Sequence, residues 1–152
     1  VFIAPDRVFV SSGYGMGGAV LRMERTETGP SVSEVWFNKE MKNHISTSVY
    51  HEGAIYGFDE AIFKCVDAQT GQERWKARGY GKGTLILADG HLIVLGDDGR
   101  LAMVEANPDA HVEVASAQVL SDRCWTTPSL AGGRLYLRNM VEIVCLDLPG
   151  RH

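Results

Sequence analysis

The chain has 152 residues, 45% of them apolar, which fits one domain with a real core and excludes a disordered segment. Its formal net charge is -4, with 15 basic residues scattered among 19 acidic ones, which argues against a nucleic-acid binder working through clustered Lys and Arg. No apolar run approaches the roughly 20 residues of a membrane-spanning helix, and no basic-then-apolar leader is present.

In chain order, four copies of one pattern follow each other: a short strand, a tight turn ending in Gly or Asp, and a strongly apolar strand. They read Ala4-Pro5-Asp6-Arg7-Val8-Phe9-Val10, His51-Glu52-Gly53-Ala54-Ile55-Tyr56, Ala88-Asp89-Gly90-His91-Leu92-Ile93-Val94 and Ala131-Gly132-Gly133-Arg134-Leu135-Tyr136-Leu137. The turn residues at positions 6, 53, 90 and 133 are 47, 37 and 43 residues apart, a period that suits one four-stranded propeller blade or one pair of solenoid helices. Short segments rich in Val, Ile, Leu, Tyr and Phe, punctuated by Gly, Asp-Gly and Thr-Gly and lacking a 3.6-residue period, decide for strands.

The first unit predicts strands at 1–4, 7–11, 19–24 and 32–39, with a long glycine loop between the second and third. The second unit predicts strands at 46–50, 54–58, 61–66 and 72–78. The third predicts 84–88, 91–95, 100–105 and a strand within 111–120, and its Asp97-Asp98-Gly99 turn is a strong hairpin signal. The fourth predicts 127–130, 134–138 and 141–146, with no outer strand. The fold class is therefore all-β: an arc of about three and a half to four antiparallel blades of a β-propeller, at 1–41, 46–78, 83–120 and 126–148. An open arc leaves bare faces and unpaired edges, and Val1 opens inside what reads as a strand. We therefore expect a piece of a seven- or eight-bladed ring, with paired arcs or a closed four-bladed ring as alternatives.

The third strand of each unit ends in an acid, at Met23-Glu24, Val66-Asp67, Val104-Glu105 and Leu146-Asp147, where a carboxylate can accept bonds from the free N–H groups of a turn. A recurring acid of this kind is structural. Gly13-Tyr14-Gly15-Met16-Gly17-Gly18 contains G-x-G-x-x-G after a strand, but no acid lies about 20 residues on and no βαβ pattern follows, so a flexible surface loop is expected there. His44, His51, His91, His111 and His152 show no metal-ligand spacing, with His51 and His91 expected in exposed turns. Cys65, Cys124 and Cys145 read as buried free thiols, with a Cys124–Cys145 disulfide as the alternative. No Ser-His-Asp set is placed by motif, and Asp97-Asp98 belongs to a turn. No catalytic, cofactor-binding or metal-binding residue is assigned.

The segment Asp67-Ala68-Gln69-Thr70-Gly71-Gln72-Glu73-Arg74-Trp75 resembles the tryptophan-docking repeat of propellers of the pyrroloquinoline quinone (PQQ) type. That group includes the quinoprotein alcohol dehydrogenases and non-enzymatic relatives such as the lipoprotein scaffold of the outer-membrane β-barrel assembly machinery. The resemblance implies a docking motif of Asp67, Thr70, Gly71 and Trp75, with a stretched copy, Glu24, Thr28, Gly29 and Trp36, in the first unit. In that family the outer-strand tryptophan packs between neighbouring blades and the Thr-Gly turn shapes its seat. The third unit lacks the tryptophan, and Trp125 precedes a first strand and is not a docking position. The resemblance implies a non-enzymatic scaffold, binding a protein partner or the remaining blades, in the periplasm or otherwise outside the cytoplasm. The alternative it implies is part of a PQQ- and calcium-dependent dehydrogenase, although the adjacent cysteines expected of that class are absent here.

Overall fold

Three of the four connections between first and second strands use two consecutive residues of positive φ: Glu52 and Gly53 at 45° and 83°, Asp89 and Gly90 at 47° and 70°, and Gly132 and Gly133 at 56° and 74°. This is the tight hairpin whose twist matches that of its strands. The computed structural model describes residues 1–148, and the strands joined by these turns form four antiparallel sheets, with no helix among the described residues.

The first sheet contains β1 (Phe2–Ala4), β2 (Arg7–Ser12), β3 (Gly17–Thr26) and β4 (Gly29–Asn38). The second contains β5 (Val49–His51), β6 (Ala54–Asp59), β7 (Ile62–Asp67) and β8 (Glu73–Ala77). The third contains β9 (Thr84–Ala88), β10 (His91–Leu95), β11 (Arg100–Glu105) and β12 (Glu113–Gln118). The fourth contains β13 (Ser129–Ala131), β14 (Arg134–Arg138) and β15 (Ile143–Asp147). Every sheet is an up-and-down meander in sequence order. One backbone bond recurs in all four: Ala68 N donates to Gly53 O (2.9 Å), Ala106 N to Gly90 O (2.9 Å), Leu148 N to Gly133 O (2.8 Å) and Met23 N to Asp6 O (2.7 Å). The units are structural copies.

Apolar clusters fill the seams between consecutive sheets. Phe9, Val20, Ile55 and Val66 join the first to the second, Phe63, Cys65, Leu92 and Val104 the second to the third, and Ile93, Leu95, Leu135 and Leu137 the third to the fourth. Sheets buried on both faces lose the simple apolar-polar alternation, and β6 is buried along its whole length.

Some expectations need correction. The glycine run is not one long flexible loop: Gly13 to Met16 form the turn, while Gly17 and Gly18 are buried in β3. A Cβ on Gly18 would lie 2.8 Å from the Phe9 ring, so close packing explains that glycine. Glu24 does not end its strand, because β3 and β4 pair onward through Arg25 with Pro30 to Thr26 with Gly29. Thr26 Oγ1 donates to Gly29 O at 2.8 Å and closes that longer hairpin. The β5 strand starts at Val49 and not at 46, because Ser48 is buried and its hydroxyl donates to Asn43 Oδ1 at 3.1 Å. Cys65 and Cys124 are buried free thiols, but Cys145 is exposed and is not disulfide-bonded to Cys124. His152 lies outside the described residues.

Lys64, in β7, is 5% exposed, and its ammonium lies 3.0 Å from carboxylate oxygens of Glu40 and Asp59 and 3.1 Å from one of Glu73. Three acceptors match its three N–H donors. Lys42 meets the other Asp59 oxygen at 2.6 Å. Glu40 and Lys42 belong to the connection between the first and second sheets, so the network pins that connection to the second sheet. Burial opposes ionisation of Asp59, but bonds from Lys42 and Lys64 outweigh it and hold the carboxyl below its usual range. Glu73 is lowered chiefly by Lys76, with Lys64 adding to it.

Lys64→Met leaves these acids short of a partner and should cost about 3–5 kcal/mol, read as a lower urea midpoint at neutral pH. Both carboxyls titrate lower in the folded than in the unfolded state. Their stabilisation is therefore complete above the unfolded carboxylate range near pH 4 and is lost as pH falls through the folded values. The urea midpoint of the unsubstituted protein should drop between about pH 5 and about pH 3, and that of Lys64→Met should drop less. Equal slopes would show that the network is not the origin.

Candidate functional site

Within each sheet, residues opposite one another on adjacent strands project to the same face. In the first sheet one such row is Phe9, Val20 and Trp36, and in the second it is Tyr56, Cys65 and Trp75. In the third it is Ile93, Met103 and Ala115. A β-bulge follows the row in all three, between Val20 and Leu21, Cys65 and Val66, and Met103 and Val104. Bulges add local twist and re-aim side chains.

The rows face the next sheet. Trp36 donates its indole N–H to Ala68 O at 3.0 Å, and Trp75 donates to Asn107 O at 2.9 Å. The acceptors lie in the β7–β8 and β11–β12 connections of the following sheet. Each tryptophan also meets the ring of its own row at a centroid distance of 5.9 Å, Phe9 for Trp36 and Tyr56 for Trp75. A ring with one polar atom thereby buries its area and satisfies its N–H.

The turn after β7 forms the seat of Trp36. Asp67 Oδ1 accepts from Gln69 N (2.9 Å), Thr70 N (2.8 Å) and Thr70 Oγ1 (3.1 Å), and Oδ2 accepts from Arg74 at 2.6 Å. Burial pushes the Asp67 pKa up, but the Arg74 and turn bonds prevail and hold it low. Gly71, at φ 72°, comes so close to Trp36 that a Cβ there would lie 2.7 Å from the ring. Asn38 donates to Gly71 O at 2.8 Å beside it. Asp67 and Thr70 thus shape the turn whose Ala68 carbonyl and Gly71 meet the tryptophan of the preceding sheet, while Trp75 reaches into the following one. Gly29, at φ 123°, stands at the β3–β4 hairpin tip, where a Cβ would meet no atom within 4 Å, and it joins neither seat.

Sequence reading did not find the cluster beside Trp75. Tyr80 donates its hydroxyl to Glu113 at 2.6 Å and lies 3.0 Å from His111 Nε2. Arg100 pairs with Glu113, its guanidinium 5.2 Å from the Tyr80 ring centre. The His111 ring meets Trp75 at 5.4 Å. Burial, aided by Glu113, pushes the Tyr80 pKa up to about 12, and burial lowers that of His111. These polar groups satisfy one another between the β8–β9 connection and the third sheet. No local spacing announces them, since Tyr80 meets them only when that connection packs against β11 and β12.

The second-to-third strand turns and the connections between sheets meet at one end of the arc. There Tyr14 N donates to Glu60 at 3.1 Å, the Tyr14 ring meets His44 edge-on at 4.6 Å, and Lys82 lies 3.5 Å from His44 and 3.7 Å from Glu60. Asp97 accepts from Lys82 N at 2.9 Å. A cavity of about 270 Å³ lies beside this cluster, lined by Phe9, Ser11, Tyr14, His44 and Thr47 among others. The same end exposes apolar side chains: Tyr14 at 85%, Met140 at 83%, and Met16, Trp125 and Val141. The glycine run leads into β3, which removes the helix that a dinucleotide site needs. His51 and His91 are both half-buried at strand ends.

No family model and no curated protein matches this chain. A crystal structure of BamB from Moraxella catarrhalis is similar over 91% of this chain and 45% of that one, with a TM-score of 0.63 and 14% identity. This chain therefore spans less than half the length of that protein. The likeness is one of fold, and with the four sheets described above it makes this chain a partial β-propeller.

Proposed function

We propose that this chain is part of a non-enzymatic PQQ-like propeller that serves as a protein-binding scaffold outside the cytoplasm. The observation that carries the reading is the exposure of Tyr14 and Met16 in the β2–β3 turn and of Trp125, Met140 and Val141 in the connections flanking β13 and β14, all on the loop side of the sheets. Tyr, Trp and Met are the residue types enriched in protein interfaces. The fold likeness to BamB and the resemblance of the Asp67 to Trp75 segment to docking repeats support both the scaffold role and the compartment. Asp67, Thr70, Gly71, Trp36 and Trp75 act in this reading as the docking set that fixes neighbouring blades.

Further blades are the second partner in this proposal. Tyr136 and Cys145 occupy the row that makes the seams of the preceding sheets, and both are exposed. Calcium and PQQ belong to the alternative reading, a dehydrogenase fragment, and the adjacent cysteines expected of that class do not occur in this sequence. Glu60 and Asp97, the acids of the loop end, are already engaged by Tyr14 N and Lys82 N.

A triple substitution, Tyr14→Ser with Met140→Ser and Val141→Ser, should leave the melting temperature within a few degrees while abolishing capture of a partner from an envelope extract. Equal capture by both proteins, or none by the unsubstituted one, would sink the scaffold reading. Adding PQQ with calcium should leave the melt unchanged, and a stabilised species carrying quinone absorbance would favour the dehydrogenase. Trp75→Ala should cost on the order of 3–5 kcal/mol through the void left in its seam. An unaltered urea midpoint would refute its docking role.

A further inference from the structure

Ala115 takes the position held by Trp36 and Trp75 in the two preceding sheets: it faces Met103 on β11 as Trp75 faces Cys65 on β7, beside the same bulge. A tryptophan there would lie in the seam between the third and fourth sheets. In its place is a groove of about 210 Å³, lined by Ile93, Leu101, Met103, Ala115, Leu135 and Leu148 among others. That volume is below the roughly 300–1,000 Å³ of drug-sized pockets, so it admits a single ring system. The groove is continuous with the interface that Ile93, Leu101 and Leu135 make between these sheets.

A polar acceptor completes the likeness. Leu148 follows Asp147 as Ala68 follows Asp67, and its N–H closes on Gly133 O as that of Ala68 closes on Gly53 O. The Leu148 carbonyl therefore corresponds to the Ala68 carbonyl, which takes the Trp36 indole N–H in the first seam, whereas the second seam uses Asn107 O, one residue beyond the equivalent Ala106. Apolar walls with one acceptor at the rim suit an indole better than an aliphatic side chain. The outer side is open, since Ala115, Ser116 and Ala117 are all exposed, which leaves a way out for the backbone that carries the ring.

We propose that the seam between the third and fourth sheets is a binding site for a tryptophan side chain presented by a partner polypeptide, which completes in trans the seat left empty by Ala115. This goes beyond the loop-end reading and does not depend on it, because the two sites share no residue.

The test is a titration of the full chain with N-acetyl-L-tryptophanamide, followed through the methyl NMR signals of Ile93, Met103 and Leu135. Saturable shifts at these methyls are expected, with a response to N-acetyl-L-leucinamide at least tenfold weaker. Ala115→Trp should fill the seam from within, abolish the shifts and raise the melting temperature. Ala115→Leu keeps the test decisive should that variant fail to fold, and it should weaken binding while preserving the methyl spectrum. Absence of saturable shifts, equal response to the leucine amide, or undiminished binding by Ala115→Leu would overturn the proposal. Shifts caused by free indole but not by the tryptophan amide would overturn it in favour of a small-molecule pocket.

Discussion

A sheet that is apolar on both faces needs a neighbour on each side, and the whole arrangement of this chain follows from that need. β6 is buried from end to end, so the second sheet is stable only between the first and the third. Apolar burial brings sheets together without choosing their register. The indole N–H chooses it: Trp36 and Trp75 each find one carbonyl in the next sheet, at 3.0 and 2.9 Å. A displaced sheet would leave that N–H buried and unpaired, at a cost that outweighs a modest gain in contact area.

Polar groups follow the same logic. Lys64 sits in a strand that neighbours cover on both faces, and three carboxylates surround its ammonium. Tyr80 of the β8–β9 connection likewise saturates, and is saturated by, His111, Glu113 and Arg100 of the third sheet. A tyrosine whose pKa is pushed up to about 12 is poorly suited to give up its proton near neutrality. These clusters specify how the sheets meet, a role supported in some proteins for buried polar networks.

The hairpins were the most legible part of the sequence. Predicted strands at 84–88, 91–95, 100–105 and 134–138 match β9, β10, β11 and β14 because Asp-Gly and Gly-Gly turns delimit them sharply. The first sheet was harder, since Gly17 and Gly18 read as a loop yet serve as strand residues under Phe9. The Asp67 to Arg74 turn was legible because its hydrogen bonds close within a few residues of chain, whereas the Trp75 indole finds its acceptor, Asn107 O, only in the next sheet. Lys64 and His111 were opaque, because their partners come from other strands or connections that only packing brings near.

The β14 strand alternates between buried and exposed residues, whereas β6 is buried throughout. Among the described residues each apolar cluster joins two consecutive sheets, so the array behaves as a one-dimensional chain of coupled units. Its couplings are unequal, since the first two seams carry an indole clasp and the third carries Ala115. Hydrogen exchange should then record a gradient, with amides of the fourth sheet opening at lower free energy than those of the second. The alanine that leaves a groove also sets where this array begins to unzip.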